Sequence, residues 1–581
     1  MHKFSVWAPV ASKVGVKVGD ITYPLNGPDE HGWWSASVRE AGVGSDYGFV
    51  IGDDPKAWPD PRSEWQPNGV HGLSRVYDRR AFMWSDRDWS APALSHAVIY
   101  ELHVGTFTLL GTFDSAIEKL GYLVELGITH VELMPVAAFP GGQGWGYDGA
   151  ALFAVTEQYG GPDGLKRLVD ACHARGLAVL LDVVYNHFGP VGNYSGKYGP
   201  YITERHHTPW GGAVNFEGEG SDEVRRFFCD NALMWMREYH IDGLRLDAVH
   251  EYVDRSAIHF MEQLSSEVKA LSAKLGRRLV LIAESDLNDP RVVTPAQRGG
   301  YGMDAQWSDD FHHSLFTVLT SEQQGYYSDF GTLEKLAKAL TKNFVQDGSY
   351  SQYRRRSHGR PTADLSPHHF LGYIQNHDQV GNRAVGDRVD QAAGFDRAKV
   401  AAAIVMTAPF VPMIFQGEEY AASTPFLYFA DHDDPEMAKA VKNGRRSEFA
   451  AFGWKPEEIP DPENVETFLR SKLNWEEVHE GRHAEMLDWY RRLIQLRRGS
   501  VALNDGAVGH VKASFDERRR WLVFERGVVT VMCNLGSEKV ELPHLRRAQV
   551  LLASKAGVVV KDGAVELPAD GAVILSSGAM R

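Results

Sequence analysis

Acidic side chains stand where several apolar runs of the sequence end. Asp182, Asp247, Glu284 and Asp378 each close or follow such a run. Clustered carboxylates without metal-ligand spacing suit acid/base and nucleophilic chemistry, because repulsion and burial separate their pKa values and leave one protonated and another ionised near neutral pH. Cleaving a glycosidic bond needs such a pair, an acid for the leaving oxygen and a carboxylate that attacks or stabilises the sugar centre. If one fold gathers these acids, glycosidic-bond chemistry is predicted.

One of these acids has a cation beside it in the sequence. Arg245 and Asp247 are two residues apart in the segment GLRLD, so a strand would place both side chains on one face. Burying charge inside a barrel is costly unless the group belongs to a site or to an ion pair. Taken alone, the pair fits a structural ion pair as well as a site. The joint occurrence of four strand-end carboxylates, with His187 and His377 nearby, favours the site.

The acids are carried by apolar runs that alternate with longer amphipathic segments, which is typical of strands and helices around a parallel sheet. Eight runs, of which the sixth is weak, are predicted as strands: 97–104, 130–136, 177–184, 243–249, 279–285, 303–307, 371–376 and 411–416. The predicted helices are 114–126, 163–175, 222–239, 256–275, 332–344, 396–407 and 483–498. Eight such units favour a closed (β/α)8 TIM barrel over the alternative, an open doubly wound sheet. A barrel would gather the strand-end acids at one rim.

Shorter alternating patterns flank the barrel segment. Residues 1–90 predict an N-terminal β-sandwich of carbohydrate-binding type, residues 91–498 the barrel, and residues 499–581 a C-terminal antiparallel β domain. Large aromatics in a small sandwich usually pack inside it. Four aromatic residues of the first segment are therefore interpreted as core residues rather than as a sugar-stacking surface: Trp7, Trp33, Trp34 and Tyr47.

Composition limits the class of protein. The chain has 581 residues, with 61 Lys plus Arg against 76 Asp plus Glu, a formal net charge of −15. That sign disfavours nucleic acid and anionic membrane surfaces as partners. Three cysteines without CxxC spacing support neither a disulfide framework nor a thiolate zinc site, and the opening MHKFSVWAPV is unlike a signal peptide. Since no apolar stretch approaches the ~18 residues of a membrane span, a cytoplasmic protein is predicted, with its oligomeric state left open.

Four short segments together resemble the α-amylase superfamily, glycoside hydrolase family 13. They are DVVYNH at 182–187, GLRLDAVH at 243–250, the strand that ends at Glu284, and NHD at 376–378. All four occur in family order, and the resemblance covers the whole chain, with a β domain before the barrel and another after it. The resemblance implies a retaining glycoside hydrolase of carbohydrate metabolism.

The resemblance also implies roles for single residues. Asp247 resembles the nucleophile, Glu284 the general acid/base, and Asp378 the third carboxylate, which binds sugar hydroxyls and helps to distort the ring. Arg245 would hold Asp247 ionised. The residues implied to bind substrate are Tyr147, His187, Arg245, His250, His377 and Gln379. Asp182 and Asn186 are implied to contact and orient such residues without binding substrate themselves. Neither a metal nor a cofactor is implied, because hydrolysis needs only water and the carboxylates.

Further segments resemble the superfamily members that release trehalose from maltooligosyltrehalose. They are FSVWAP near the start, YELHVGTFT at 100–108, GGQGWGYDG at 141–149 and QNHDQVGNR at 375–383. The implied reaction is hydrolysis of the α-1,4 bond next to the terminal α,α-1,1-linked disaccharide. Branching enzymes share the domain order but usually carry Glu where Gln379 stands. A glycogen branching or debranching enzyme stays as one alternative, and a catalytically inactive glucan-binding protein, which would usually lack a carboxylate, as another.

Other patterns have plainer interpretations. The Gly-rich segment 141–146 lacks phosphate-loop spacing and predicts a tight loop, and the Pro- and Glu-rich segment 455–464 predicts a surface excursion. The three arginines at 354–356 are predicted to be solvent-exposed in a loop. Trp210 either lines a sugar cleft or packs under its loop. Three doubled histidines are predicted as surface or loop residues rather than metal ligands: His206-His207, His312-His313 and His368-His369. Four acids at the same rim receive no role: Asp309, Asp310, Glu418 and Glu419.

Overall fold

The computed structural model describes residues 1–362, 364–450, 454–544 and 548–578, without the side chains of 448–450. Its centre is a closed barrel of eight parallel strands: Ile99–Leu102, His130–Leu133, Ala178–Val183, Gly243–Leu246, Val280–Ala283, Ala305–Trp307, Phe370–Gly372 and Val411–Phe415. The eighth strand closes the barrel by pairing with the first. Each of the eight predicted runs overlaps one barrel strand, the weak sixth included, which confirms the TIM barrel and excludes the open sheet.

The barrel strands are buried along their whole length, because side chains inside the barrel pack on each other and those outside pack on helices. This double burial explains why they appear in the sequence as continuous apolar runs. The α-helices are Val104–Phe107, Phe113–Ile117, Leu120–Leu126, Gly161–His173, Ser221–Glu238, Phe260–Leu275, Asp309–Thr320, Leu333–Lys342, His377–Gly381, Val389–Ala392, Phe395–Thr407, Pro435–Ala450, Val465–Arg470 and Gly481–Gly499.

Five predicted helices agree with the structure to within two residues at each end, and two differ more. The helix predicted at 114–126 is two helices, Phe113–Ile117 and Leu120–Leu126, because the Lys119 N–H bonds back to the Ala116 carbonyl and tightens the turn between them. The helix predicted from residue 256 begins at Phe260, where the His259 side chain accepts a hydrogen bond from the Met261 N–H. The helices Asp309–Thr320 and Pro435–Ala450 were absent from the sequence prediction.

Antiparallel sheets flank the barrel on both sides, as the sequence predicts. Before the barrel, strands form sheets of two and four: His2–Trp7 with Trp33–Val38, and Ile21–Pro24, Val14–Val18, Asp46–Ile51 and Ser74–Arg75. After it come sheets of five and three: Val511–Asp516, Trp521–Arg526, Val529–Asn534, Gly571–Ser576 and Gln549–Ala553, and Val540–Pro543, Ala564–Leu567 and Val559–Lys561. The domain boundaries after residues 90 and 498 stay predictions.

The aromatic residues of the N-terminal part pack inside it. Trp7, Trp34 and Tyr47 are buried. Trp33 is half-buried against the barrel, where its Nε1 donates to Glu223 Oε2 at 3.0 Å. The interpretation of these rings as core rather than sugar-stacking residues therefore holds for the three buried ones, and Trp33 joins this part to the barrel.

Three short hairpins extend from the barrel: Ala137–Ala138 with Ala151–Val155, Ile202–Thr208 with Gly211–Val214, and Tyr350–Ser351 with Arg356–Ser357. The segment predicted as a surface excursion contains the 3-10 turn Pro456–Glu458. Cys172, Cys229 and Cys533 are buried and unbridged. Across the part of the chain that the structure describes, no helix is both long and apolar enough to cross a membrane.

Candidate functional site

A cleft of about 750 Å³ opens at the carboxyl ends of the barrel strands. Eight of the predicted site residues line it: Tyr147, His187, Asp247, His250, Glu284, His377, Asp378 and Gln379. The other three, Arg245, Asp182 and Asn186, are buried beneath it. The structure thus brings all the predicted residues to one end of the barrel. Arg245 is buried and contacts carboxylates, and its prediction as a substrate-binding residue stays a prediction.

Main-chain hydrogen bonds bring Asp247 and Glu284 together. The Asp247 N–H donates to the Val183 carbonyl and the Glu284 N–H donates to the Leu246 carbonyl, both at 3.0 Å. These bonds continue the ladders between neighbouring barrel strands for one residue beyond each strand end. Two acids 37 positions apart in the chain therefore leave adjacent strands at the same height.

The Arg245 guanidinium binds three carboxylates. Its Nη1 donates to Asp182 Oδ2 at 2.6 Å and to Asp247 Oδ1 at 3.0 Å, and its Nη2 lies 2.8 Å from Glu284 Oε2. The Trp307 ring lies 4.1 Å from the guanidinium carbon and covers its face. Because Arg245 is fully buried, its charge acts on these carboxylates through little intervening solvent.

The two facing carboxyls have opposite pKa shifts. Burial, reinforced by the Glu284 charge, raises the pKa of Asp247 well above its usual range. Burial acts in the same direction on Glu284, but Arg245, His250 and the Ala248 N–H, which donates to Glu284 Oε2 at 2.7 Å, lower its pKa. The two carboxyls share one environment, and it makes simultaneous ionisation of both unfavourable.

The residue after Asp247 has an unusual backbone. Ala248 has φ 39° and ψ 52°, the left-handed region that a residue with a Cβ seldom occupies. This conformation turns the Ala248 N–H toward Glu284 and directs the next residues away from the strand. Local strain of this kind persists where the surrounding structure enforces it, and it is common at functional sites.

His377 is fixed on the opposite side of the cleft. Glu101, on the first barrel strand, binds its Nδ1, and the Tyr147 hydroxyl lies 2.8 Å from its Nε2. The Tyr147 hydroxyl also donates to Asp182 Oδ2 at 2.5 Å. Asp378 Oδ2 lies 3.4 Å from His377 Nε2. Although burial opposes it, the charges of Asp378 and Glu101 raise the pKa of His377 to about 9.

Tyr147 comes from the Gly-rich loop after the second strand. The loop makes a tight turn, as predicted, and Gly146 has φ +98° with its Cα against the Pro135 carbonyl, where a Cβ would lie 2.3 Å from the oxygen. A side chain at this position would displace the loop and with it the Tyr147 ring. That ring stacks on the imidazole of His377 with centroids 5.2 Å apart.

Aromatic and basic residues form the outer wall of the cleft. Trp210 stacks on His187 with ring centroids 4.6 Å apart and 5° between the planes. Trp210 also lines the cleft, which decides between the two alternatives left by the sequence. Arg354 lines the cleft and pairs with Asp286 at 2.9 Å, so the prediction of a solvated charge run is wrong for this residue. Arg355 is exposed as predicted.

Several residues near the cleft were not identified as site residues from the sequence. Those lining it include Trp145, Asp148, Asp286, Asp309, Tyr326, Tyr353, Asn382, Tyr428, His432, Met437 and Val441. Asp286 follows the strand that ends at Glu284 and could have been found by the same signal, whereas Asp309 was placed at the rim from the sequence but without a role. Burial raises the pKa of Asp309 to about 7, and the Tyr373 hydroxyl donates to it. The others come from loops or, for Met437 and Val441, from the helix Pro435–Ala450, and their sequence carries no comparable pattern.

The remaining rim acids and doubled histidines have structural partners. Asp310 accepts hydrogen bonds from the Val345 and Gln346 main chains. His312 and His313 lie in a helix; His312 is fully buried and His313 lines the cleft, so the surface prediction is wrong for this pair. Within the described ranges no cluster of three or more His, Cys, Asp or Glu side chains is arranged to hold a metal ion.

The chain matches two known families and superposes on a solved structure. Residues 75–203 and 218–506 match the family described as Alpha amylase, catalytic domain, and residues 507–574 match a Domain of unknown function (DUF3459). A crystal structure of an alpha-amylase-type protein from Salmonella typhimurium superposes with a TM-score of 0.90 at 36% identity, covering 99% of this chain and 97% of that one.

Relatives of known name match over almost the whole chain. The malto-oligosyltrehalose trehalohydrolase of Rhizobium sp. (strain M-11) is 47% identical over 99% of this chain and 97% of its own length. That of Saccharolobus solfataricus is 44% identical over 89% and 88%. A 1,4-alpha-glucan branching enzyme of Bacillus caldolyticus is 31% identical over 60% of this chain and 57% of its own length.

Proposed function

Because the chain belongs to the malto-oligosyltrehalose trehalohydrolase family, whose barrel is an alpha-amylase catalytic domain, we propose that it hydrolyses the α-1,4 bond next to the terminal α,α-1,1-linked disaccharide of maltooligosyltrehalose and releases trehalose. The observation that carries the proposal is the pair Asp247 and Glu284, held on one guanidinium at the floor of a sugar-sized cleft. All three carboxylates that the chemistry requires line that cleft, which argues against an inactive glucan-binding protein.

The proposed reaction has two displacements. In the first, Glu284 donates its proton to the glycosidic oxygen as the carboxylate of Asp247 attacks the anomeric carbon, so the C–O bond to the leaving sugar breaks and a glycosyl ester forms. In the second, ionised Glu284 takes a proton from water, the water oxygen attacks the same carbon, and Asp247 leaves as the carboxylate. The anomeric configuration is retained because it inverts twice.

This reaction requires a proton on Glu284 and an ionised Asp247 when bond cleavage begins, whereas in the protein alone the pKa of Asp247 is raised and that of Glu284 is lowered. A bound glycosidic oxygen beside Glu284 favours its protonated form, and the positive charge that develops on the sugar favours ionised Asp247. We therefore infer that bound substrate favours the protonated form of Glu284 and the ionised form of Asp247. Arg245 contacts both groups and remains able to stabilise whichever is ionised.

The other site residues are proposed to hold the sugar. Asp378 and the charged His377 would bind hydroxyl groups of the sugar that is attacked, and Tyr147 would stack beneath it. Trp210 stacks on His187, and the two residues line the cleft where the neighbouring unit would bind. Retention also requires the Asp247 and Glu284 carboxyls to lie about 5 to 5.5 Å apart, which stays a prediction.

A product assay tests the proposal against its alternative. Incubation with maltotriosyltrehalose should release free trehalose and maltotriose, while amylopectin under the same conditions should show no change in branch points. A glycogen branching or debranching enzyme would change the branching of amylopectin and leave trehalose bound. A protein with neither activity but measurable glucan affinity would be a binding protein, and the proposal would be wrong.

A further inference from the structure

Asp378 is held in place by a segment outside the eight barrel units. The helix Pro435–Ala450 follows the last barrel strand, and its Met437 and Val441 side chains line the cleft. The helix therefore approaches the site from above the rim. One of its side chains, Arg445, reaches past the cleft wall to the short helix that begins at His377.

Arg445 contacts that short helix at two points. Its Nη1 donates to Asn382 Oδ1 at 2.9 Å and its Nη2 donates to the Gly381 carbonyl at 2.8 Å. The guanidinium also lies 4.7 Å from the centre of the Tyr428 ring, which limits the directions it can take. Two hydrogen bonds from one planar group fix both the main chain and a side chain at the helix end.

Asn382 forms hydrogen bonds with both Arg445 and Asp378. Its Nδ2 donates to Asp378 Oδ1 at 3.1 Å. Arginine can only donate, so the amide oxygen of Asn382 must face Arg445 and the amide nitrogen must face Asp378. A flipped amide would place its oxygen against the Asp378 carboxylate and its NH2 group against the guanidinium, so both hydrogen bonds would be lost.

The short helix has little freedom to shift around these contacts. At Gly381 a Cβ would lie 2.1 Å from the Trp145 ring, so the main chain is packed directly on the cleft wall. The second oxygen of Asp378 lies 3.4 Å from His377 Nε2. The two carboxylate oxygens are thus oriented by different groups, one by His377 and the other by Asn382.

We propose that Arg445 is a positioning residue, which sets the orientation of the Asp378 carboxylate toward bound sugar through the Asn382 amide. The inference rests on the proposed function, in which Asp378 binds sugar hydroxyls. Arg445 itself touches neither Asp378 nor the facing pair of acids; its effect on the reaction passes through Asn382.

Substitution of Arg445 tests this role. Arg445→Met should lower kcat for trehalose release about 10- to 100-fold, as expected for a small misplacement of a site group, with a smaller change in KM. Arg445→Lys keeps a charge and one donor and should recover part of the loss. Lys439→Met removes a charge from an exposed position of the same helix and is the matched control. Unchanged kcat in a folded Arg445→Met protein would overturn the inference.

A pH profile separates positioning from a general loss of stability. Asp378 faces His377 on its own helix, and Glu284, Arg245 and Glu101 on three barrel strands. Asn382→Asp is close to isosteric and keeps an acceptor for Arg445, but places a second carboxylate against Asp378. It should raise the pKa of Asp378 and move the acidic limb of kcat/KM to higher pH.

The outcomes of the two proposals can be told apart. If the unmodified protein releases no trehalose, the proposed function fails, whatever the variants do. If it releases trehalose and the acidic limb of Asn382→Asp coincides with that of the unmodified protein, the positioning role fails while the function stands. Asn382→Asp also serves if Arg445→Met does not fold, because it leaves the helix Pro435–Ala450 unchanged.

Discussion

Glu101 binds His377 at two points: Oε2 accepts the main-chain N–H at 2.9 Å and Oε1 contacts Nδ1 at 2.5 Å. The first barrel strand thereby fixes both the position and the charge of a residue that follows the seventh. With Nδ1 occupied, Nε2 is the ring nitrogen that faces the cleft. Glu101 consequently acts on the sugar site without lining the cleft itself.

Replacing Glu101 by Gln should change the pH dependence of activity. In the unmodified protein the charges of Asp378 and Glu101 overcome burial and raise the pKa of His377 to about 9. Glu101→Gln removes one of these charges, so the pKa of His377 should fall by about one to three units. The imidazolium is then lost at lower pH, and the basic limb of kcat/KM should move down. A basic limb that stays in place would show that His377 charge is not required.

Asp247→Asn should abolish turnover without unfolding the barrel. The amide cannot attack the anomeric carbon, so kcat should fall by at least about 10⁴-fold. Asparagine has nearly the same shape and still accepts a hydrogen bond from Arg245, so the thermal unfolding midpoint should change little. Trehalose release and circular dichroism measure the two effects. Substantial turnover in this variant would remove Asp247 from its assigned role.

Trp210→Ala should weaken substrate binding. The indole is 49% exposed, stacks on His187 and lines the cleft. Losing one aromatic stack of about 1.4 kcal/mol corresponds to about a tenfold rise in KM, with kcat less affected. Tyr350→Ala, which removes an exposed ring from a neighbouring hairpin, is the control. Equal KM values for the two variants would argue against a sugar surface at Trp210.

His173 forms a buried ion cluster at the opposite end of the barrel. Its Nδ1 lies 2.8 Å from Asp86 Oδ2 and its Nε2 lies 2.9 Å from Asp242 Oδ2, and none of these side chains is more than 3% exposed. Against the effect of burial, Asp242 and Asp86 raise the pKa of His173 above 6.5, and His173 in turn lowers the pKa of Asp242 below 3.8. The cluster joins the segment before the barrel to the strand ends.

His173→Leu should therefore lower the free energy of unfolding by up to about 3 to 5 kcal/mol, because it removes the side chain that bridges two buried carboxylates. As ion-pair partners, Asp86 then keeps only His240 and Asp242 only Arg277. The histidine contributes fully below pH 6.5, and its contribution is lost as the pH rises through its raised folded-state pKa; that of Asp242 is lost as the pH falls below 3.8. Urea unfolding at pH 5.5 should show a larger difference than at pH 9, with the exposed His31→Leu as control. Equal differences at both pH values would refute the charge assignment.

Glu418 is a buried acid whose proton stabilises the fold. It accepts hydrogen bonds from the Tyr490 hydroxyl at 2.7 Å and from Gln375 Nε2 at 3.1 Å. Burial raises its pKa from 4.5 to about 8. Its contribution to stability is therefore full below pH 4.5 and is lost as the pH rises through about 8.

Glu418→Gln should make the unfolding temperature depend less on pH between about 5 and 8, because the amide cannot ionise. Calorimetric scans at several pH values measure this slope. Glu480→Gln, at an exposed position before the helix Gly481–Gly499, should leave the slope unchanged. The assignment fails if the Glu418→Gln slope equals that of the unmodified protein.

The sequence by itself predicted the barrel and the acids at its rim. Buried parallel strands must be apolar over their length, so the residue that ends each apolar run marks a strand end, and parallel strands deliver their ends to one side. Asp247 and Glu284 were found in this way because the signal that identifies them is local. Even the weak sixth run contains a fully buried strand of three residues, Ala305–Trp307.

The tertiary structure decided which distant groups act on those acids. Glu101 meets His377 across 276 positions of the chain, and Arg445 meets Asn382 across 63. Trp210 belongs to a loop whose residues show no periodicity that would aim it at the cleft. Contacts of this kind depend on how loops and inserted helices pack against the barrel. Many residues contribute to the energy of that packing, so no short segment of the sequence predicts it.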